Sequence, residues 1–463
     1  MSVGRVLGDL FTFLLFVVLS RKFGQEGIGA YSFAIAFTGS LVVFADFGLH
    51  NLSIRQMSRN PDSIRQYFGT ILAIRIVFSV LVMLAILVIA VFLPFSREIK
   101  WVVAIIGFHQ MMLTLARGVG TVFAAREQMP LASALECSAR IVGALGGSAV
   151  AFGLGDLAAA VAVLPVVTAL QVAVALWWIG RTVGGLQLST GWSDVRQTLR
   201  EVRPFGLGLI VNHIASRLDV VLLGFILGAA AAGVYNVAYR IVFLSLFMPS
   251  LASLALFPVI SRLAGNAPSQ LRSLYHQSLQ ASTLAGLPAA AGLCLIASDL
   301  IDLSFGADFA DSALILRWLS WLLLLSCWRN IIAIFLTASD RQSERLRCEW
   351  AAALINVIGN GLLIPAVGII GAALTTLGAE MVLVGLLAAR LKASFGWPAI
   401  GATLIKSGLA TAAFVVPLIL LPLPLGFAVP IAVVIYVVAL CLFKDIRRDG
   451  FRLLSAAIAG RHA

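Results

Sequence analysis

Charge is what this 463-residue chain has least of: Asp, Glu, Lys and Arg make up 12% of it, against 60% hydrophobic residues and a mean hydropathy of +1.01. A water-soluble globular domain carries about a quarter of its residues as charges, so that class is excluded. Cysteine is scarce too. Cys137, Cys294, Cys327, Cys348 and Cys441 have neither paired nor metal-type spacing and read as small apolar residues, with no disulfide framework and no metal site. His50, His109, His213, His276 and His462 form no motif. Asp299, Asp302, Asp308 and Asp311 match no calcium loop and read as helix caps in solvent. Long polar connectors are also missing. The longest runs only from Arg181 to Arg203, so there is no room for a soluble catalytic domain, and no cofactor is expected.

What is there instead is a series of about fourteen apolar runs from Gly4 to Phe443, each close to the ~20 residues that cross a bilayer core about 30 Å thick. Backbone polar groups in lipid must be satisfied within the segment, so each run is expected to be a helix. The fold class is therefore an all-α polytopic membrane protein. The net charge of +12 follows the connectors. With alternating crossings and the N-terminus inside, Arg21, Lys22, Arg97 and Lys100 fall outside, while most of the other basic residues fall inside. That asymmetry puts both termini in the cytoplasm, and it speaks for anionic membrane lipids as partners, not nucleic acid.

Two halves repeat. Gly24, Gly29, Tyr31 and Ala34 recur as Gly228, Gly233, Tyr235 and Ala238, all offset by 204 residues, and Ser58-Arg59 recurs as Ser261-Arg262. Since six crossings restore the chain direction, these are parallel repeats, and transporters built from such halves hold their substrate between them. The expected division is an N-lobe over 1–180, a cytoplasmic amphipathic linker over 181–203 and a C-lobe over 204–392. Two further spans over 393–443 and a cytoplasmic tail over 444–463 complete it. Trp192, Val195 and Leu199 alternate with Arg196 and Arg200 in the linker, as in a helix lying on the inner leaflet.

Charges inside apolar spans are costly, so each is a functional candidate. Helical rise puts Arg217, Asp219 and Arg240 at similar depth on consecutive spans. Two guanidiniums there suit a phosphate or pyrophosphate clamp; the other reading is a structural Arg–Asp pair. Arg5 and Arg75 are candidates for an anion-attracting inner vestibule, with Asp9 pairing on the face of Arg5. Arg117 and Arg329 lie close enough to the inner face to snorkel, and Glu136 and Arg140 read as a self-neutralising pair. Glu380, midway along its span, would take a coupling proton or sodium ion, or pair with Lys406. Asp46-Phe47-Gly48 is a gate hinge or an ordinary helix end.

Leu19-Ser-Arg-Lys-Phe-Gly-Gln-Glu-Gly-Ile-Gly-Ala-Tyr31 and Ala45-Asp-Phe-Gly-Leu49 resemble the opening of the polysaccharide (Wzx-type) flippases of the multidrug/oligosaccharidyl-lipid/polysaccharide exporter superfamily. Arg217-Leu-Asp219, Gly233-Val-Tyr-Asn-Val-Ala-Tyr-Arg240 and Phe257-Pro-Val-Ile-Ser-Arg262 are similar to its second-half signatures, and Asn356-Val-Ile-Gly-Asn360 through Gly371–Glu380 continue the likeness. The resemblance implies a V of two six-helix lobes in a bacterial cytoplasmic membrane. It also implies a polyprenyl-pyrophosphate-linked glycan as substrate and polysaccharide assembly proteins as partners. Arg5-Val-Leu-Gly8 is similar to a first-helix motif of related lipid II flippases, but the next residues here, Asp9-Leu10, depart from that motif's Arg-Asp. The alternatives are a cation-coupled drug or metabolite antiporter, which would favour acidic cavity residues, and a membrane glycosyltransferase or polymerase, which would need a sizeable outer loop.

Overall fold

A computed structural model of the chain describes residues 3–59, 64–184, 191, 195–202, 217–246, 256–263, 268–397, 400–420 and 424–442. Among them there is no strand. The first half contains α1 (Val3–Asp46), α2 (Leu49–Arg59), α3 (Ile64–Phe92), α4 (Arg97–Ala125), α5 (Met129–Leu154) and α6 (Leu157–Ile179). Next come α7 (Leu218–Leu227), α8 (Ala229–Ser245), α9 (Pro268–Leu295), α10 (Ala297–Phe305), α11 (Ala310–Leu319) and α12 (Leu322–Ala338). The last are α13 (Gln342–Val367), α14 (Ile369–Phe395), α15 (Gly401–Leu420) and α16 (Leu425–Cys441). Ten stretches among the described residues are long and apolar enough to cross a membrane, with three shorter apolar helices besides. The protein is a multi-pass membrane protein. One of the ten, Val6–Ser58, takes in two of the expected spans, because α1 turns at Gly24 with no residues of loop on either side, its polar Arg21, Lys22, Gln25 and Glu26 remaining helical.

Many hydroxyl groups inside the helices bond back to their own backbone, as suits hydrocarbon surroundings. Thr38, Ser40, Thr114, Thr168, Thr283 and Thr337 each donate to the carbonyl four residues back. Ser96 and Asp156 accept backbone N–H groups at the starts of α4 and α6.

By packing, the chain divides into two compact units: Met1–Asn236 with Val357–Ala372, and Val237–Asn356 with Ala373–Ala463. At the base of the first, Leu49, Leu52, Met57, Phe68, Val119 and Ile179 form an apolar core. The helical segment 195–202 docks on it through Val195, Leu199 and the fully buried Val202, and Gln56 donates to Glu201 at 2.8 Å. The apolar stripe read as facing the leaflet thus packs on protein; Trp192 lies outside the described residues, as does the tail over 444–463. In the second unit, Tyr275, Leu279, Phe335, Leu387 and Phe395 centre the core. There α15 and α16 are tied to α9 by Tyr436, whose hydroxyl donates to the Leu284 carbonyl at 2.6 Å and lies 3.0 Å from Ser407.

Candidate functional site

The site begins with two glycines. Gly24 (φ 64°, ψ −165°) breaks α1, and Gly228 (φ 92°, ψ 174°) separates α7 from α8. Both lie in a region of backbone space open essentially only to glycine, so each makes a one-residue hinge between apolar helices. These are repeat-equivalent positions, and the segments after them meet. A side chain at Gly29 would run into the carbonyl of Ala229, and one at Gly233 would lie 2.9 Å from the Gly29 nitrogen. Small residues permit such close helix approach in membranes. Three residues further along each helix, Asn236 donates to Ser32 at 2.7 Å. Ser32 and Asn236 are also 204 apart.

Four phenylalanines cluster beside this contact, Phe33 and Phe37 of α1, Phe225 of α7 and Phe95 of the α3–α4 connector. The Phe33 ring is 5.6 Å from Phe37, 4.8 Å from Phe95 and 5.4 Å from Phe225. Phe33 seats against Gly224, where a larger residue would block it. These rings form an apolar layer beside the glycine contact within the first unit.

Arg217 opens α7 and reaches the first repeat, where its Nη1 donates to the Ile35 carbonyl at 3.3 Å and lies over Gly39. Asp219 makes its hydrogen bonds elsewhere. The buried Asp219 carboxylate accepts the Tyr235 hydroxyl at 2.6 Å and the Val220 N–H at 2.8 Å. The expected pair therefore resolves into one arginine directed across the repeats and one carboxylate bridging α7 to α8. Arg240 comes one turn of α8 after Asn236 and is half-buried.

Arg75 is 0% exposed, held by Asp46 at 2.7 Å and the Thr114 carbonyl at 2.8 Å. It sits in the interior of the first unit, where charge-assisted bonds to α1 and α4 hold its two terminal nitrogens while Nε has no hydrogen-bond partner. Asp46 thus ends α1 on a buried partner, and Phe47 (φ 39°) and Gly48 (φ 86°) turn the chain into α2. Arg5 lies on α1 with its side chain outside the described residues. Its expected neighbour Asp9 pairs with Arg140 of α5, which also holds Glu136. Glu380 has Arg329 at 2.7 Å, a partner contributed by α12. Sequence reasoning treated Arg329 as a snorkelling residue because it had no means of seeing the α12–α14 contact. It also missed Ser32, Asn236 and the phenylalanines, although the 204-residue offset was a signal for the first two.

Helices of this length, broken at equivalent glycines and meeting across a repeat, define the class: an all-α, multi-pass membrane fold. A solved structure of the lipid II flippase MurJ in an inward closed conformation matches it with a TM-score of 0.79 at 16% identity, covering 96% of this chain and 99% of that one. The family model for "polysaccharide biosynthesis protein" matches residues 1–264, and the chain belongs to that family. Among curated relatives, the probable flippase AglR of Haloferax volcanii is 32% identical over 233 residues, 48% of each chain. The probable low-salt glycan biosynthesis flippase Agl15 of the same organism is 23% identical over 382 residues, 81% of this chain and 78% of that one. The match to AglR thus spans about half the length of that relative.

Proposed function

We propose that the protein is a flippase: it turns a polyprenyl-pyrophosphate-linked oligosaccharide from the inner to the outer leaflet by alternating access, with no covalent chemistry of its own. The observation that carries this reading is the contact of Gly29 and Ser32 with Gly233 and Asn236. Both repeats contribute to that contact, which would act as a closure at one end, with Arg217 and Arg240 on the side away from it. By helical rise Arg217 and Arg240 lie about 16 and 18 Å from Gly228 along α7 and α8. A planar guanidinium stays charged when desolvated and matches phosphate oxygens, so these two would receive the pyrophosphate. Arg5 would extend the attracting path toward the inner mouth, and Asp219 would hold α7 to α8 through Tyr235.

A single interhelical hydrogen bond in a membrane is worth about 0.6 kcal/mol on average, so the Ser32–Asn236 bond is weak enough to break in each cycle. The halves 1–180 and 204–392 would move against each other, with the 181–203 linker fastened to the first. The bacterial cytoplasmic membrane, cytoplasmic termini and polysaccharide assembly proteins as partners belong to the same reading. The antiporter alternative is less well supported, because Glu380 already has Arg329 as its counter-ion.

The test uses proteoliposomes loaded with fluorescent polyprenyl-pyrophosphate oligosaccharide, scoring leaflet exchange for wild type and Arg240→Ala. Exchange by the wild type that is lost in the variant supports the assignment. No wild-type exchange, with or without a proton, sodium or voltage gradient, would sink it in favour of the antiporter.

A further inference from the structure

We propose that a groove on the first unit, between the outer halves of α4 and α6, binds one anionic phospholipid of the adjoining leaflet. Trp101, Ala104 and Phe108 of α4 face Ala162, Pro165 and Ala169 of α6 across a cavity of about 520 Å³. The alanines leave the space open, and Pro165 has no N–H to donate within α6. From Trp101 to Phe108 the groove runs about 10 Å along the helix axis. At its deep end the helices touch: Thr168 and His109 lie 3.3 Å apart across the α4–α6 interface. The groove therefore opens toward the leaflet surface and to the side, which suits one acyl chain entering from above.

Charge at the mouth selects the head. Arg97, Trp101, Ala104 and Phe108 fall on one stripe of α4, so the exposed Arg97 stands one turn beyond Trp101 on the stripe that lines the groove. The other charges near the mouth have their own roles. Lys100 donates to the Val91 carbonyl at 2.8 Å, Asp156 accepts the Ala158 N–H at the start of α6, and Glu98 flanks Arg97 in the first turn of α4. Trp101 is 56% exposed at the depth where indoles anchor in headgroups. An arginine above a single-chain groove complements a phosphate head carrying net negative charge, whereas a zwitterionic head offers it no net attraction.

The test places the full-length protein in vesicles containing phospholipids brominated in the acyl chain, either phosphatidylglycerol or phosphatidylcholine. Bromine quenches indole on contact. The protein has nine tryptophans, so the Trp101 signal is taken as wild type minus Trp101→Phe. At equal mole fraction, phosphatidylglycerol is expected to quench Trp101 at least twofold more steeply. Arg97→Gln should make the two lipids equal, and Ala162→Phe, which fills the groove, should bring quenching by both down to the same bulk-lipid level. Ala104→Phe fills it from the opposite wall should the first variant not fold. Identical curves for the two lipids in the wild type would mean bulk lipid only and overturn the site. So would displacement of the brominated lipid by added polyprenyl phosphate, which would hand the groove to another occupant. None of these outcomes depends on whether the protein transports glycans.

Discussion

Arg75 and Arg217 are both arginines inside a membrane protein, yet their surroundings assign them different work. Arg75 has no exposure, and its guanidinium is fixed by Asp46 and the Thr114 carbonyl. Removing one partner of a buried ion pair strands the other and costs about 3–5 kcal/mol, whereas replacing both by apolar residues is close to neutral. Asp46→Ala is therefore expected to lower the detergent melting temperature by several degrees, and Arg75→Met with Asp46→Leu to recover most of it. A single variant that melts like the wild type would show that the pair is not structural. The bond of Arg217 across the repeats is long, 3.3 Å, and its acceptor is a carbonyl within a helix. Arg217→Ala should leave melting within a degree or two and abolish leaflet exchange. Glu380 belongs with Arg75: held by Arg329, it is expected to show its loss in Glu380→Gln as lower stability with transport retained. Loss of gradient dependence in that variant, at unchanged melting temperature, would restore it as the coupling site.

At the scale of elements, the decisive features are the glycine breaks and the helix segments that meet just beyond them. The positions of Gly24 and Gly228 in a glycine-only region put the cost of a side chain at about 1–3 kcal/mol each, so Gly24→Ala and Gly228→Ala should both lower the melting temperature. Ser32→Cys with Asn236→Cys, in a background free of other cysteines, should cross-link under mild oxidation, because the native polar atoms are 2.7 Å apart. Cross-linked protein should hold one closed state and lose exchange, with activity returning on reduction. Failure to cross-link would remove the closure from the mechanism. This element was half legible beforehand. The offset of 204 residues marked Gly24 and Gly228 as equivalent, since a hinge that only glycine satisfies leaves a fixed letter in the sequence. Asn236 and Ser32 differ in chemistry, so the repeat hid their meeting. Phe33, Phe37 and Phe225 looked like any other apolar span residues, and Phe95 like any residue of a short connector. The bond of Asp219 to Tyr235 was hidden for a third reason: charge arithmetic pairs a carboxylate with the nearest cation, whereas burial favoured a hydroxyl donor on the next helix.

For the whole molecule, the strongest statement in the sequence concerns orientation, and it rests on summed small energies. Each cation near an anionic inner surface is worth about 1 kcal/mol. The alternating-crossing reading expects Arg126, Arg181, Arg196, Arg200, Arg341, Arg345, Arg347 and Arg390 on the side away from Arg97 and Lys100, in which case inversion would forfeit several kcal/mol. The same arithmetic serves the proposed transport: the basic side is where an anionic headgroup would enter, and the glycine closure is where it would leave. The orientation can be read directly in cells. In the cysteine-free background, Glu98→Cys lies on the exposed first turn of α4 and Ser343→Cys on the exposed first turn of α13. A membrane-impermeant maleimide should label Glu98→Cys in intact cells and Ser343→Cys only after permeabilisation. Labelling of both from one side would change the number of crossings between them from odd to even and break the parallel repeat. The reverse pattern would keep the repeat but turn the closure toward the cytoplasm, so that Arg217 and Arg240 would serve uptake from outside, not export of a glycan made within.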